Sequence, residues 1–226
     1  MKPEFAQHVD TAATIKASGR WAAMNAKIKR MAANPGADNE WYVQFFAGLC
    51  FQVFSEYSAI ERAYAENRER DVSLIAWRAR NLLELSVWAT FFAKSKENAR
   101  HLYVDAGRDT YEIYAAFEKW GQTRPQHADW LDPISSGKRD LAHRAAEEGI
   151  DTLEGRYHPV HLAAEECGMK DHYVVANKML SKFAHPTAMQ MLGASDESQR
   201  ALQRDCFFSQ GCLYFTGAII ALETVH

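Results

Sequence analysis

Two polar groupings set in apolar surroundings are the parts of this chain whose residue types could do chemistry. The first is Arg80 with Glu84, four residues apart inside SLIAWRARNLLELSVWATFF, Ser73 to Phe92. At about 100° per residue the Leu, Ile, Val, Trp and Phe of this stretch leave no wide polar face, and a helix apolar all round is normally buried. Arg80 and Glu84 are therefore expected to be buried, and to pair with each other or with another helix, because either charge alone would be costly to desolvate. A guanidinium fixed in this way can bind negative charge that develops on a substrate. The second grouping is Lys178, Ser181 and His185 in YVVANKMLSKFAHP, Tyr173 to Pro186. On a helical wheel these three lie within one sector of about 60°, with Ala176, Met179, Leu180, Phe183 and Ala184 as the core stripe opposite. His185 precedes a proline, which disfavours the α conformation for its predecessor, so the imidazole is placed at a helix C-terminus, where the dipole favours a cation.

The elements that must carry these residues read as helix after helix. A segment from Pro3 to Ala33, interrupted at Gly19, is closed by the turn signal Asn34-Pro35-Gly36. A long helix starts near Asp38 and carries Trp41, Phe45, Phe46, Leu49, Val53, Phe54, Tyr57 and Ile60 at helical spacing. After a turn at Asn67 to Glu69 comes the buried helix. Another, capped by Ser95 and bent at Gly107, runs to Trp120. Gly121 to Gly137 (GQTRPQHADWLDPISSG) reads as a long loop, then a short polar helix spans Lys138 to Glu148 and a connector spans Gly149 to His158. His161 to Cys167, Asp171 to Ala184 and Asp196 to Thr224 complete the set. No strand-like alternation and no repeat competes. The expected fold is an all-α multi-helix bundle of about seven to nine helices around a single core, the last helix fully or nearly buried. Gly211 and Gly217 in that helix imply close approach of another helix, within the monomer or across a dimer. Residues 1–36 read as an N-terminal basic helical segment and 37–226 as the main bundle domain.

Composition narrows the classes. With 226 residues, 47% of them hydrophobic and 12% aromatic, the chain can bury one sizeable core, and wholesale disorder is excluded. A net charge of −3 argues against indiscriminate nucleic-acid binding and leaves room for a local basic patch. Thr11 to Ala37 holds Lys16, Arg20, Lys27, Lys29 and Arg30 and no acid. It could follow a nucleic-acid backbone, but is read first as a solvated helix packed through Trp21, Met24, Ile28 and Met31. Cys50, Cys167, Cys206 and Cys212 match no common zinc or redox spacing, and MKPEFAQHVD has no apolar signal core, so a cytoplasmic setting is expected. The longest charge-free run, Cys206 to Leu222, is 17 residues with several polar members, short for a bilayer span, and no membrane association is expected. His158, His161 and Glu165 could approach a metal, but Pro159 disrupts the start and no distant fourth ligand is evident, so neither metal nor cofactor is expected.

A basic residue separated by six residues from a helix-ending His, with Ser between and Pro after, plus Arg-x3-Glu on an earlier helix, resembles bacterial helical proteins related to the HEPN superfamily. The likeness covers Ile75 to Glu84 and Asn177 to Pro186. It implies a metal-independent endoribonuclease, or a degenerate relative, of defence or toxin–antitoxin systems, with its site at a homodimer interface and RNA or a protein as partner. His185 would then be the acid or base, Lys178 or Arg80 the cation facing the phosphate, Ser181 an orienting group and Glu84 the holder of Arg80. In this chain the basic position is Lys178 where the motif has Arg, and Lys lacks the planar bidentate grip. The alternative is a non-enzymatic module that binds a small ligand or protein, with Gly121 to Gly137 as gate or contact surface.

Overall fold

A computed structural model of the chain describes residues 1–33, 39–66, 72–123, 128–185 and 196–225, without the side chains of 128–130. Nine α-helices and no strand occur among the described residues: α1 (Pro3–Ala17), α2 (Arg20–Ala33), α3 (Glu40–Ala65), α4 (Val72–Lys94), α5 (Lys96–Gln122), α6 (Ala128–Glu147), α7 (Val160–Glu166), α8 (Lys170–Ala184) and α9 (Glu197–Glu223). This is the all-α bundle expected. The turn signals at 34–36 and 67–69 lie outside the described residues, as does the expected boundary after residue 36. The division that is seen falls elsewhere: residues 1–95 with 160–226 form one compact unit, and 96–159 a second.

In the larger unit α4 is the central element, packed by α9, α8, α3 and α7. Its sequence requires this, since Ile75, Ala76, Ala79, Leu82, Leu83, Val87 and Ala89 on it are at most 1% exposed and each buried Leu or Ile contributes about 1.5–3 kcal/mol. From α9 come Phe207, Phe208, Cys212, Phe215 and Ile219; Phe215 stacks on Tyr57 of α3 at 3.9 Å. Asp196 caps α9 by accepting from the Gln199 N–H at 2.8 Å. By length and hydropathy α9 could cross a membrane, yet more than half of its most apolar window is buried in the bundle. Its expected near-complete burial is corrected on one face, where Ile220 is 53% exposed. The N-terminal helices join the same unit: Ser209 Oγ on α9 donates to the Phe5 carbonyl at 3.1 Å, and Trp21 of α2 lies 4.2 Å from the ring of Phe54.

The smaller unit is an antiparallel helix pair, α5 and α6, with a connector. Here the expected loop over residues 121–137 is corrected. Those described include the end of α5 and the first half of α6, which runs through Pro133, and the expected short helix at 138–148 is its second half. Pro133 stands in the second turn of α6, so the i−4 bond it forfeits lies close to a terminus where carbonyl partners are already few. The two glycines serve packing: a Cβ on Gly121 would meet Leu131 at 2.2 Å, and one on Gly137 would meet the Tyr114 ring at 3.0 Å. α5 runs without a break through Gly107.

The paired glycines of α9 separate cleanly. A Cβ on Gly211 would lie 2.6 Å from Ile60 Cδ1 and 3.7 Å from the Ala79 backbone, whereas one on Gly217 would meet nothing within 4 Å. The expected close approach is thus made at Gly211, within the chain, and no helix approaches Gly217 among the described residues. Gly211→Ala should destabilise by about 1–3 kcal/mol because Ile60 is fully buried and has little room to give. Gly217→Ala should stabilise by about 0.5–1 kcal/mol through helix propensity alone. Urea midpoints that move in the same direction for both variants would contradict this packing.

Burial also sets the pH range of stability. It pushes the Cys50 and Cys212 thiols from 9.0 up to about 12, and raises the Tyr57 hydroxyl for the same first reason. These groups hold their protons more tightly folded than unfolded, so the stability they confer is full below the unfolded value near 9.0 and is lost as pH rises toward 12. Urea midpoints measured at rising pH should hold level near neutrality and fall above about 9.

Candidate functional site

The face shared by α4 and α8 gathers Arg80, Glu84 and Ser181 of the residues singled out from the sequence, with one addition, while Lys178 and His185 stand exposed on α8. Arg80 Nη2 donates to Glu84 Oε1 at 2.7 Å, one turn along α4, and Arg80 Nε donates to Asn177 Oδ1 of α8 at 3.0 Å. The same Asn177 oxygen accepts from Ser181 Oγ at 3.2 Å. One amide therefore fastens two helices and two side chains. Burial is less than expected: the Arg80 and Glu84 side chains are each 26% exposed, because they stand at the seam between α4 and α8 and not on the face of α4 that meets α9. Beside them Tyr173 is buried, and that burial raises its hydroxyl, with the Glu84 charge adding to the rise.

Arg80 is oriented without being used up. Two of its five N–H groups are engaged in these bonds, so three remain for another acceptor. Its charge is matched by Glu84, however, and further positive potential at this face has to come from elsewhere. Lys178 lies exposed on α8 and forms no hydrogen bond or ion pair with a described residue. Ser181 and Lys178 thus part company: the serine turns to the seam and the lysine to solvent.

His185 closes α8 as its C-cap, with φ −117° and ψ 147°. This is the extended conformation that a following proline demands. Its side chain is exposed. Asn177, Ser181 and His185 stand at i, i+4 and i+8, a single row that starts at the Arg80 clamp and ends at the helix terminus. Asn177 is the residue that sequence reasoning missed. The signal was present in its i−4 spacing from Ser181, but a wheel built around charged residues drew the face through Lys178.

A second clamp holds the opposite side of α4. Glu56 of α3 accepts from Arg78 through both oxygens at 2.8 and 2.9 Å, and from Asn81 Nδ2 at 3.2 Å. Arg78 also lies over the ring of Trp77 at 4.5 Å. In the N-terminal segment three of the five cations are engaged inside the chain: Lys16 with Glu61, Arg20 with Glu223 at 3.0 Å, and Lys27 with the carbonyls of Glu223 and Val225. Burial lowers the pKa of Lys27. The basic run is accordingly a packed helix for much of its length. All four cysteines are free thiols whose pKa values are raised by burial, which keeps them protonated near neutrality. Among the described residues no three His, Cys, Asp or Glu side chains form a metal-ligand set.

Fold and site together define an all-α bundle with a clamped arginine leading along one helix to an open histidine. No family model, curated protein or solved structure matches the chain.

The clamp is testable without an assay of activity. In a double-mutant cycle of Arg80→Ala and Asn177→Ala, followed by urea unfolding, the coupling energy should be about 0.5–1.5 kcal/mol. A coupling of zero would remove Asn177 from the site.

Proposed function

We propose that this chain is an RNA-directed, HEPN-like helical protein that cleaves phosphodiester bonds without a metal, acting in the cytoplasm as a homodimer. The observation that carries the reading is the row from the clamped Arg80 through Asn177 and Ser181 to the exposed His185. Cleavage of RNA by its own 2′-hydroxyl needs a group that takes that proton, or one that returns a proton to the departing 5′-oxygen, and an imidazole suits either task. His185 fills this role at the open end of α8. The charge gathered on the phosphoryl oxygens in the transition state is met by the remaining donors of Arg80 and by Lys178. Glu84 and Asn177 hold Arg80 in one orientation, and Ser181 fixes the amide that does so. Preorganisation of this kind raises rate more than it raises affinity.

A second reading, a non-enzymatic module, is favoured by one feature of the same helix. Val174 and Val175 stand 49% and 70% exposed next to Lys178, a pattern suited to a protein contact.

Purified protein is incubated with mixed RNA in excess chelator and compared with His185→Ala and Lys178→Ala. The wild type should cleave. His185→Ala should lose about 10²–10⁴-fold in rate, the usual contribution of a general acid or base, and Lys178→Ala should lose less. Cleavage that survives His185→Ala, or none by the wild type, turns the assignment to the binding module.

A further inference from the structure

The smaller unit holds a cavity of about 400 Å³ between one face of α5 and the connector that follows α6. Four residues of α5 line it, Arg108, Tyr111, Glu112 and Ala115, spaced i, i+3, i+4 and i+7 on one face. The opposite wall is the segment 153–157, and it is tied down at both ends. Leu153 is buried against α5, its Cδ2 3.1 Å from where a Cβ on Gly107 would stand, so the missing side chain of Gly107 makes the seat for it. At the other end the His158 N–H donates to Asp105 Oδ2 at 2.7 Å. Between these anchors Gly155, at φ +127°, lets the chain turn away from α5 and roof the cavity.

Asp105 has a second duty. Its other oxygen accepts from Arg108 Nη1 at 3.0 Å, so the carboxylate that ties down the connector also orients the arginine of the cavity wall. Arg108 Nε is buried and forms no hydrogen bond with a described residue. Around the opening stand Arg156, Glu112 and Glu154, none of which forms an ion pair with a described residue. The lining therefore presents Arg108, held by Asp105, and Arg156, which has no ion-pair partner among the described residues, together with the carboxylates of Glu112 and Glu154 and the rings of Tyr111 and Tyr157.

We propose that this cavity binds a small zwitterion, a free α-amino acid with an aromatic side chain. A simple anion would meet Arg156 and the spare N–H groups of Arg108 and be repelled by Glu112 and Glu154; a simple cation would meet the glutamates and be repelled by Arg156. A molecule that carries both charges meets both, its carboxylate in the fork geometry that guanidinium favours and its ammonium against the glutamates. The tyrosine rings with Leu153 and Ala115 receive the side chain, in edge-to-face or offset arrangement. The volume lies at the lower end of small-molecule sites, about 300–1,000 Å³, as a ligand of this size requires. The assignment is independent of the RNA reading, since it uses no residue of α4 or α8.

The test is a calorimetric titration of the full chain with L-phenylalanine, phenethylamine, which lacks the carboxylate, and 3-phenylpropionate, which lacks the ammonium. L-Phenylalanine should bind with Kd on the order of 0.1–1 mM, and each analogue at least about tenfold more weakly. Arg156→Ala should bind L-phenylalanine no better than it binds phenethylamine, and Glu154→Gln no better than 3-phenylpropionate. Both substitutions are on exposed side chains, and unchanged thermal melts show that the variants are folded. Absence of saturation by L-phenylalanine up to about 10 mM, equal binding of all three compounds, or full affinity in both variants overturns the proposal.

Discussion

Desolvation of the few polar groups on α4 is the constraint on which the rest of the larger unit turns. A helix covered by α3, α8 and α9 can keep Arg78, Arg80, Asn81 and Glu84 only at its seams, and only if each finds a partner there. The chain meets the condition twice, with Glu56 on the α3 side and Asn177 on the α8 side. Hydrophobic burial brings the helices together but is indifferent to small rotations. The two clamps are directional, and they fix how α4 is turned between its neighbours.

That division of labour explains what could be read from the sequence. Helical periodicity is a property of single segments, so α3, α4, α8 and α9 were legible from apolar spacing, and the end of α8 from the proline after His185. Partners across a seam are not properties of a segment. Asn177, uncharged and half hidden among apolar residues, becomes meaningful only when Arg80 stands 3.0 Å away. The stretch 121–137 misled for a related reason: Gly, Pro and Ser are turn formers in isolation, yet Gly121 and Gly137 are glycine because Leu131 and Tyr114 occupy the space of a side chain. A close helix contact and a turn use the same residue, and one sequence does not distinguish them.

The reading that Gly211 and Gly217 both mark a close helix contact holds for Gly211 alone. In the middle of an apolar helix without other breaking signals, a glycine costs propensity that packing must offset, and Ile60 with Ala79 supplies that packing. Gly217, six residues on, has the same local setting in sequence and no such neighbour. The difference lies in which face of α9 each occupies.

The way the arginines are held bears on chemistry in both units. Arg80 and Arg108 are each oriented by a carboxylate, and the carboxylate that orients also cancels the charge. Such an arginine offers direction, through N–H groups fixed in space, and little long-range attraction. Long-range attraction for an anion at the α4–α8 face would rest on exposed cations such as Lys178, which sit in water and are screened by salt over about 8–10 Å. With a guanidinium fork held in place at Arg80, Lys178 adds a mobile charge without an ion pair to a described residue, so the two cations of this face differ in what they can offer an acceptor.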